Sequence, residues 1–515
     1  MDLDTMTLQQ KIGQLIVAGF PTETMSEEFV QLVKEHKIAN TILFSYNTPS
    51  EEKIEVLCDS IQKLVKEETG EYAFITIDQE GGVVTRLPKE SVNIPGAMAL
   101  AQIGDKEKAY QAALLTGYEL KKLGINFNLA PVLDINSNPD NPVIGVRSFG
   151  SDSKVVTEYG CKMVRGYLDA GIMCSLKHFP GHGDTTVDSH LSLPCITKGY
   201  AELEQEELVP FQEAMKCGAT AVTLAHILFP KIDNEKIPVT MSEKMIQGIL
   251  RKKFGFQGLV ISDCLEMNAI KEYFGTAVGA KNAIKAGVDM IFISHTASLV
   301  VEAVKEIEKA VTSGEIPMSR IDDAVRRIIT YKEIYANPKK EIRKEDVIKD
   351  KIKQDRKEYV KVLFQESIQF RNREKGYCHK IGKLPLFLSC GAYRSTMASS
   401  NVEEELQFSV YMQDRFGGEA VSFPVNPDRR EIVRIMEKAT SENYTNLILG
   451  TYNGHLNRGQ IMLAKELEGS KIPMLMVALR NPYDLDEVSN AVDKIAAFEY
   501  SEQSFEGIVP LMSCC

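Results

Sequence analysis

A chain of 515 residues with 44% hydrophobic and 25% charged side chains has the make-up of an ordinary globular protein of two or three domains. Its net charge of −11, with Lys and Arg scattered along the chain, argues against nucleic acid as a partner, because phosphate binding needs a massed basic footprint. No apolar run reaches transmembrane length, so no membrane insertion is expected.

The N-terminus, MDLDTMTLQQKIGQLIVAGF, is acidic at its start and does not read as a signal peptide. Ten cysteines with no C-x-x-C pair read as reduced, mostly buried thiols, and the terminal Cys514 and Cys515 carry no functional weight. The expectation is a cytoplasmic protein, or a secreted one if a leader has been removed.

Residues 1–336 repeat one rhythm: a short apolar or β-branched run, then a longer segment of helical period. The expected strands are 15–20, 40–45, 73–78, 126–134, 173–178, 221–226, 258–263 and 290–294, with helical patterns such as 107–123, 154–168 and 278–286 between them. Alternation of this kind implies parallel strands joined by right-handed crossovers. Eight units over this length predict a (β/α)8 TIM-type barrel, with a doubly wound open sheet as the competitor. Polar residues recur at the C-terminal ends of the runs: Asp78, Asp134, Lys177, His178, His226, Asp263, Ser294 and His295. In a barrel that end carries the active site.

Residues 337–373 shift to a charge-dense linker running into an amphipathic helix. Strand-like runs return at 385–389, 420–423, 446–449, 474–478 and 494–498, with helical patterns at 429–438 and 461–467. Residues 374–515 therefore read as a smaller α/β domain, αβα sandwich-like, built on a parallel sheet.

The densest chemistry lies in LKHFPGHGDTTVDSH, residues 176–190, which holds three of the eight histidines. Pro180, Gly181 and Gly183 rule out a continuous helix, so the segment is a shaped loop. The plain alternative is that its polar groups bond one another and only shape a turn. A metal site is the other alternative, but the spacing of His178, His182, Asp184, Asp188 and His190 matches no standard zinc pattern. No metal and no cofactor is expected. In an extended segment residues two apart face the same side, so Asp188 can orient the imidazole of His190 for proton transfer.

A group that attacks is supplied by GLVISDCLEM, residues 258–267. An apolar strand ends at Asp263, a natural nucleophile at a barrel mouth, unless that residue merely caps the next helix. Glu266 is the alternative, one turn into that helix. Two further segments, IDQEGGVVTR (77–86) and VRSFG (146–150), bring Asp78, Arg86 and Arg147 to the same rim. Carboxylates and guanidinium or ammonium groups side by side can grip vicinal hydroxyls, although each taken alone reads equally as a rim ion pair.

Together, DQEGG with Arg86, Arg147-Ser148-Phe149, the 176–190 string and S-D-x-L-x-M at 262–267 resemble glycoside hydrolase family 3, in its β-N-acetylglucosaminidase branch. Fainter matches lie at GTYNGHLNRGQ (450–460) and ALRNPYDL (478–485). The resemblance implies Asp263 as nucleophile, His190 as acid/base and Asp188 as its partner. It implies sugar contacts from Asp78, Arg86, Arg147, Lys177 and His178.

The implied activity is retaining, exo-acting removal of β-linked N-acetylglucosamine from peptidoglycan fragments or chitooligosaccharides, with a small-molecule glycoside as the partner. A phosphorylase of the same fold and a β-glucosidase are alternatives. A non-catalytic sugar sensor would be expected to have lost Asp263, Asp188 or His190, and all three are present. The oligomeric state is left open by the sequence.

Overall fold

The computed structural model describes residues 3–189, 192–338, 355–400 and 405–512. Eight parallel strands follow one another in chain order: β1 (Ile16–Ala18), β2 (Asn40–Leu43), β3 (Phe74–Ile77), β4 (Phe127–Asn128), β5 (Met173–Phe179), β6 (Ala221–Leu224), β7 (Leu259–Cys264) and β8 (Met290–Ile293). β8 pairs back onto β1, Ile291 opposite Ile16 and Ile293 opposite Ala18. The sheet is therefore a closed barrel, and the open-sheet competitor is excluded.

All the strands are buried along their length except the last two residues of β7. A strand with a helix outside and a barrel interior inside needs apolar groups on both faces, which is why these runs are continuous rather than alternating. Val17, Ile42, Phe74, Phe127, Met173, Ala221, Leu259 and Met290, one from each strand, belong to a single interior cluster. Helix Met318–Tyr335 reaches that cluster through Ile328. Lys332 of the same helix is buried, its Nζ donating to Gln14 Oε1 at 2.7 Å and to the Ala39 carbonyl at 3.1 Å.

Ser26, Ser50, Asp105 and Asp152 each accept a backbone N–H at the first turn of a helix. The helices they start are Glu27–His36, Glu51–Thr69, Lys106–Lys122 and Ser153–Asp169.

The charged segment expected at 337–373 lies partly outside the described residues. Its described part forms helix Arg356–Ser367 and strand β9 (Gln369–Phe370). The remaining strands are β10 (Pro385–Cys390), β11 (Glu419–Phe423), β12 (Asn446–Thr451), β13 (Met474–Ala478) and β14 (Asp493–Ala496). They form a six-stranded sheet in the order β11-β10-β12-β13-β14-β9. Five strands are parallel, but β9 pairs antiparallel with β14, so the expected all-parallel sheet is corrected at one edge. The thiol expectation is also corrected at one position: Cys378 is disulfide-bonded, while seven other described cysteines are free. No described helix is long and apolar enough to cross a membrane.

The second domain docks against the loops that follow β3 and β4. Met98, Ala99 and Val146 from the barrel half join its core cluster. The two faint motifs lie at this contact. Asn481 Oδ1 accepts the Val146 N–H at 3.0 Å, and Tyr483 Oη receives Asn136 Nδ2 at 2.6 Å. Gly145 has φ +46°, and a Cβ there would lie 2.4 Å from Asn481 Oδ1. Only glycine allows so close an approach in that conformation.

Candidate active site

A cavity of about 600 Å³ opens at the C-terminal mouth of the barrel, a size that suits a small organic ligand. Its wall is built from strand ends and the loops that follow them.

Asp78 directly follows β3, and Lys177 and His178 belong to β5. Lys177 Nζ lies 2.7 Å from Asp78 Oδ1 and 2.6 Å from Glu80 Oε1. Arg147, in a short 3-10 turn over Gly145–Arg147, grips Glu80 with both arms, Nε to Oε2 at 2.9 Å and Nη2 to Oε1 at 2.8 Å. Burial would raise the Glu80 carboxyl, but Arg147 and Lys177 hold it well below the carboxylate range. Burial likewise disfavours the charge on Lys177, yet Asp78 and Glu80 outweigh it and raise its affinity for a proton.

The buried Asp134 serves as an anchor behind the site. Its Oδ2 meets His178 Nδ1 at 2.6 Å, and its Oδ1 accepts the backbone N–H of His178 at 3.1 Å and of His182 at 2.7 Å. Burial would raise this carboxyl too, and His178 more than offsets it. With Nδ1–H given to Asp134, His178 turns Nε2 toward Arg147 Nη2 at 3.4 Å. His182 is fully enclosed, and burial followed by the neighbouring His178 pushes it down to about 4. Its ring spans Thr185 Oγ1 at 2.8 Å and Ser189 Oγ at 3.1 Å.

Asp263 is the second-last residue of β7, half-buried on the cavity wall, with its Oδ1 accepting the Cys264 N–H at 2.7 Å. It does not cap the following helix, whose N-cap is Met267. Glu266 lies in the turn before that helix, not within it, and accepts the His295 N–H at 2.6 Å. Tyr46 stands beside it, its hydroxyl pushed up to about 12 by burial and then by the charge of Glu266.

Asp188 is buried in the loop after β5, and its neighbour Ser189 lines the cavity. The Ser189 carbonyl accepts the Ala269 N–H at 3.3 Å, which ties this loop to the segment just beyond β7. His190 lies outside the described residues. The cavity wall therefore brings together Asp78, Arg86, Arg147, Lys177, His178 and Asp263, with Asp188 one residue behind it.

Residues the sequence reading passed over complete the site. Glu80 is two positions from Asp78, so the same alternation argument applied to Asp188 and His190 would have found it. Arg394, Met397, Ala398 and Ser399 come from the second domain and line the cavity as well. No spacing signals them, because they come from a different domain from the rest of the lining. Arg86 Nη2 donates to the Ala398 carbonyl at 2.6 Å, a contact 312 residues apart in the chain. No group of three or more His, Cys, Asp and Glu side chains among the described residues is arranged to hold a metal ion.

Residues 7–331 match the model of the glycosyl hydrolase family 3 N terminal domain. The chain belongs to glycosyl hydrolase family 3. Within that family it is similar to Beta-hexosaminidase A of Pseudoalteromonas piscicida, 37% identical over 283 residues. That alignment takes in 52% of this chain and 47% of the relative, so the chain spans about half the relative's length. It is also similar to Beta-hexosaminidase of Hydrogenovibrio crunogenus, 30% identical over 302 residues, 56% of this chain and 82% of that one.

Among solved structures, a glycoside hydrolase family 3 β-N-acetylglucosaminidase from Paenibacillus sp. str. FPU-7 superposes with a TM-score of 0.88 at 33% identity. It covers 99% of this chain and 97% of its own, so the family resemblance extends over both domains.

Proposed function

We propose that the protein is a retaining exo-β-N-acetylglucosaminidase, acting on terminal β-linked N-acetylglucosamine of peptidoglycan fragments or chitooligosaccharides. The observation that carries this reading is the shared cavity. Asp263 lines it together with the Asp78, Glu80, Lys177 and Arg147 cluster, and the loop bearing Asp188 reaches it through Ser189. Support for the sugar comes from the Paenibacillus protein, a β-N-acetylglucosaminidase that aligns over nearly all of this chain.

In this mechanism the Asp263 carboxylate attacks the anomeric carbon. The glycosidic C–O bond breaks, and the His190 imidazolium gives its proton to the departing oxygen. Asp188 orients that imidazole and stabilises its charge. Water then attacks the glycosyl ester, His190 takes the water's proton, and Asp263 leaves as carboxylate with the sugar configuration retained. The common retaining arrangement uses two carboxylates. A neutral imidazole in the second role does not repel an anionic aglycone. Asp78, Arg86, Arg147, Lys177 and His178 hold the sugar hydroxyls.

Trapping with a 5-fluoro N-acetylglucosaminyl donor followed by peptide mapping tests the reading. The label is expected on the peptide containing Asp263. Asp263→Asn is expected to lose at least about a thousandfold in kcat on the p-nitrophenyl N-acetyl-β-glucosaminide while still binding the sugar. Label on another peptide, or undiminished turnover by Asp263→Asn, rejects the assignment.

A further inference from the structure

The segment 394–400 of the second domain lines the barrel mouth and is bonded to the loop after β3. Ser400 Oγ accepts the Thr85 N–H at 2.9 Å and donates to the Thr85 carbonyl at 2.7 Å. The Ser400 N–H donates to the Val83 carbonyl at 2.9 Å. These bonds stitch the segment to the loop that carries Arg86. Arg86 Nη2 then donates to the Ala398 carbonyl, with Nη1 3.4 Å from Ser400 Oγ. Arg86 is 93% buried by its 7% exposure, and its Nε has no hydrogen-bond partner.

Arg394 stands exposed at the rim above it, held by its own turn through Nε to the Ser399 carbonyl at 2.9 Å and Nη2 to the Met397 carbonyl. Among the described residues neither guanidinium has a carboxylate within salt-bridge distance. Asp78 and Glu80, the nearby carboxylates, are taken up by Lys177 and Arg147.

The position of this pair in the ring gives it a role. Arg86 lies in the loop after β3, whereas Asp263 is near the C-terminal end of β7. Strands three and seven stand four apart in a closed barrel of eight, so their ends face each other across the mouth. In a pyranose the ring carbon opposite the anomeric carbon is carbon 4. A sugar whose anomeric carbon lies at Asp263 therefore turns its 4-hydroxyl edge toward Arg86 and the segment 394–400.

We propose that Arg394 is a specificity-determining residue and Ser400 a positioning residue: the second domain walls the far end of the sugar pocket, Ser400 fixes Arg86, and the Arg86–Arg394 pair reads the orientation of the sugar's 4-hydroxyl. This inference rests on the glycosidase reading above. It gives the second domain a part in choosing the substrate, with the bond-breaking groups all on the barrel. Arg86 and Arg394 both line the cavity, and the exposed Arg394 guanidinium supplies a donor from the rim.

The test compares the p-nitrophenyl N-acetyl-β-glucosaminide with its 4-epimer, the N-acetyl-β-galactosaminide. Wild-type protein is expected to prefer the gluco sugar. Arg394→Ala is expected to lower that preference at least tenfold, chiefly through KM, and Arg394→Lys to keep part of it. Ser400→Ala is expected to raise KM and lower the preference, with Ser400→Thr restoring both because it retains the hydroxyl. Melting temperatures near wild type establish that the variants are folded, and Arg394, being exposed, is not part of a core that its loss would open.

A preference unchanged in Arg394→Ala overturns the role given to Arg394. A Ser400→Ala protein with wild-type KM overturns the positioning role. A wild-type protein inert on both glycosides overturns the glycosidase reading instead, and the inference with it.

Discussion

Replacing Glu80 by Gln isolates the electrostatic centre of the site. The side chain keeps its size, but one carboxylate that answers Arg147 twice and Lys177 once becomes a neutral amide. The amide nitrogen then faces N–H donors, Lys177 keeps Asp78 as its ion-pair partner, and Arg147 loses its own. Breaking one side of a buried ion pair costs about 3–5 kcal/mol. Because Glu80 is 8% exposed, water recovers little of that loss.

The sign with pH is fixed by the depressed carboxyl. Its stabilisation is complete above the ordinary carboxylate range and is lost as pH falls through it toward the lower folded value. At pH 7 the variant therefore shows the whole deficit. Chemical denaturation of the barrel, monitored at pH 7, should show a loss of about 3 kcal/mol or more. Catalytic efficiency should fall by about a hundredfold, since Arg147 and Lys177 lose their alignment. A Glu80→Gln protein within about 1 kcal/mol of wild type, with kcat/KM within threefold, would refute the claim that this carboxylate organises the site.

Three other outcomes follow from the same geometry. Glu499 is buried beside Gly82, with Oε2 lacking a hydrogen-bond partner, and burial pushes its carboxyl from 4.5 up to about 7. The penalty is absent below pH 4.5, where both states are protonated, grows as pH rises toward 7, and is complete above it. Glu499→Gln should therefore stabilise the protein by up to about 3 kcal/mol at pH 8 and by nearly nothing at pH 4.5; melting curves at the two pH values check this, and an equal effect at both contradicts it. Asp134→Asn should cost about 1–3 kcal/mol and raise KM by tenfold or more, because His178 Nδ1 and two backbone donors lose their shared anion; unaltered steady-state kinetics would deny Asp134 that anchoring role. In phosphate buffer the released sugar should be N-acetylglucosamine, and accumulation of its 1-phosphate, read by phosphorus NMR, would turn the reading to phosphorolysis.

The barrel was legible because parallel strands buried on both faces leave uninterrupted apolar runs, and all eight were located. Their ends were less so. The expected run 126–134 contains only the two residues of β4 as regular strand, because Pro131 has no N–H to give to a ladder. The run nevertheless stays beside β5, where the Leu133 N–H donates to the Lys177 carbonyl at 2.6 Å. The run 494–498 is cut short by Phe498, whose φ of +65° takes the chain out of the sheet. β9 was missed because two residues of edge strand make no pattern.

At the site, Asp78, Arg147, Lys177, His178 and Asp263 announce themselves through strand ends and Gly-rich loops. Glu80 hid inside a motif read for its glycines. Arg394 and Ser400 were invisible for a different reason: periodicity reports the local chain, and a docking contact 314 residues long leaves no local trace.

Of the three histidines of residues 176–190, the structure describes the surroundings of His178 and His182. His178 gives Nδ1 to a fully buried carboxylate and faces the Arg147 guanidinium with its other nitrogen, so its ring is held in one orientation on the cavity wall. His182 has both nitrogens engaged, and burial holds it down to about 4, so it does not take up a proton at neutral pH. His182 is thus taken up in shaping the loop, the plain structural alternative for the whole segment, whereas His178 also faces the cavity. A proton shuttle must gain and lose charge near the working pH and must reach the leaving oxygen. His182 does not meet the first demand, and the shuttle role stays with the proposal for residue 190, which follows a serine on the cavity wall in the sequence.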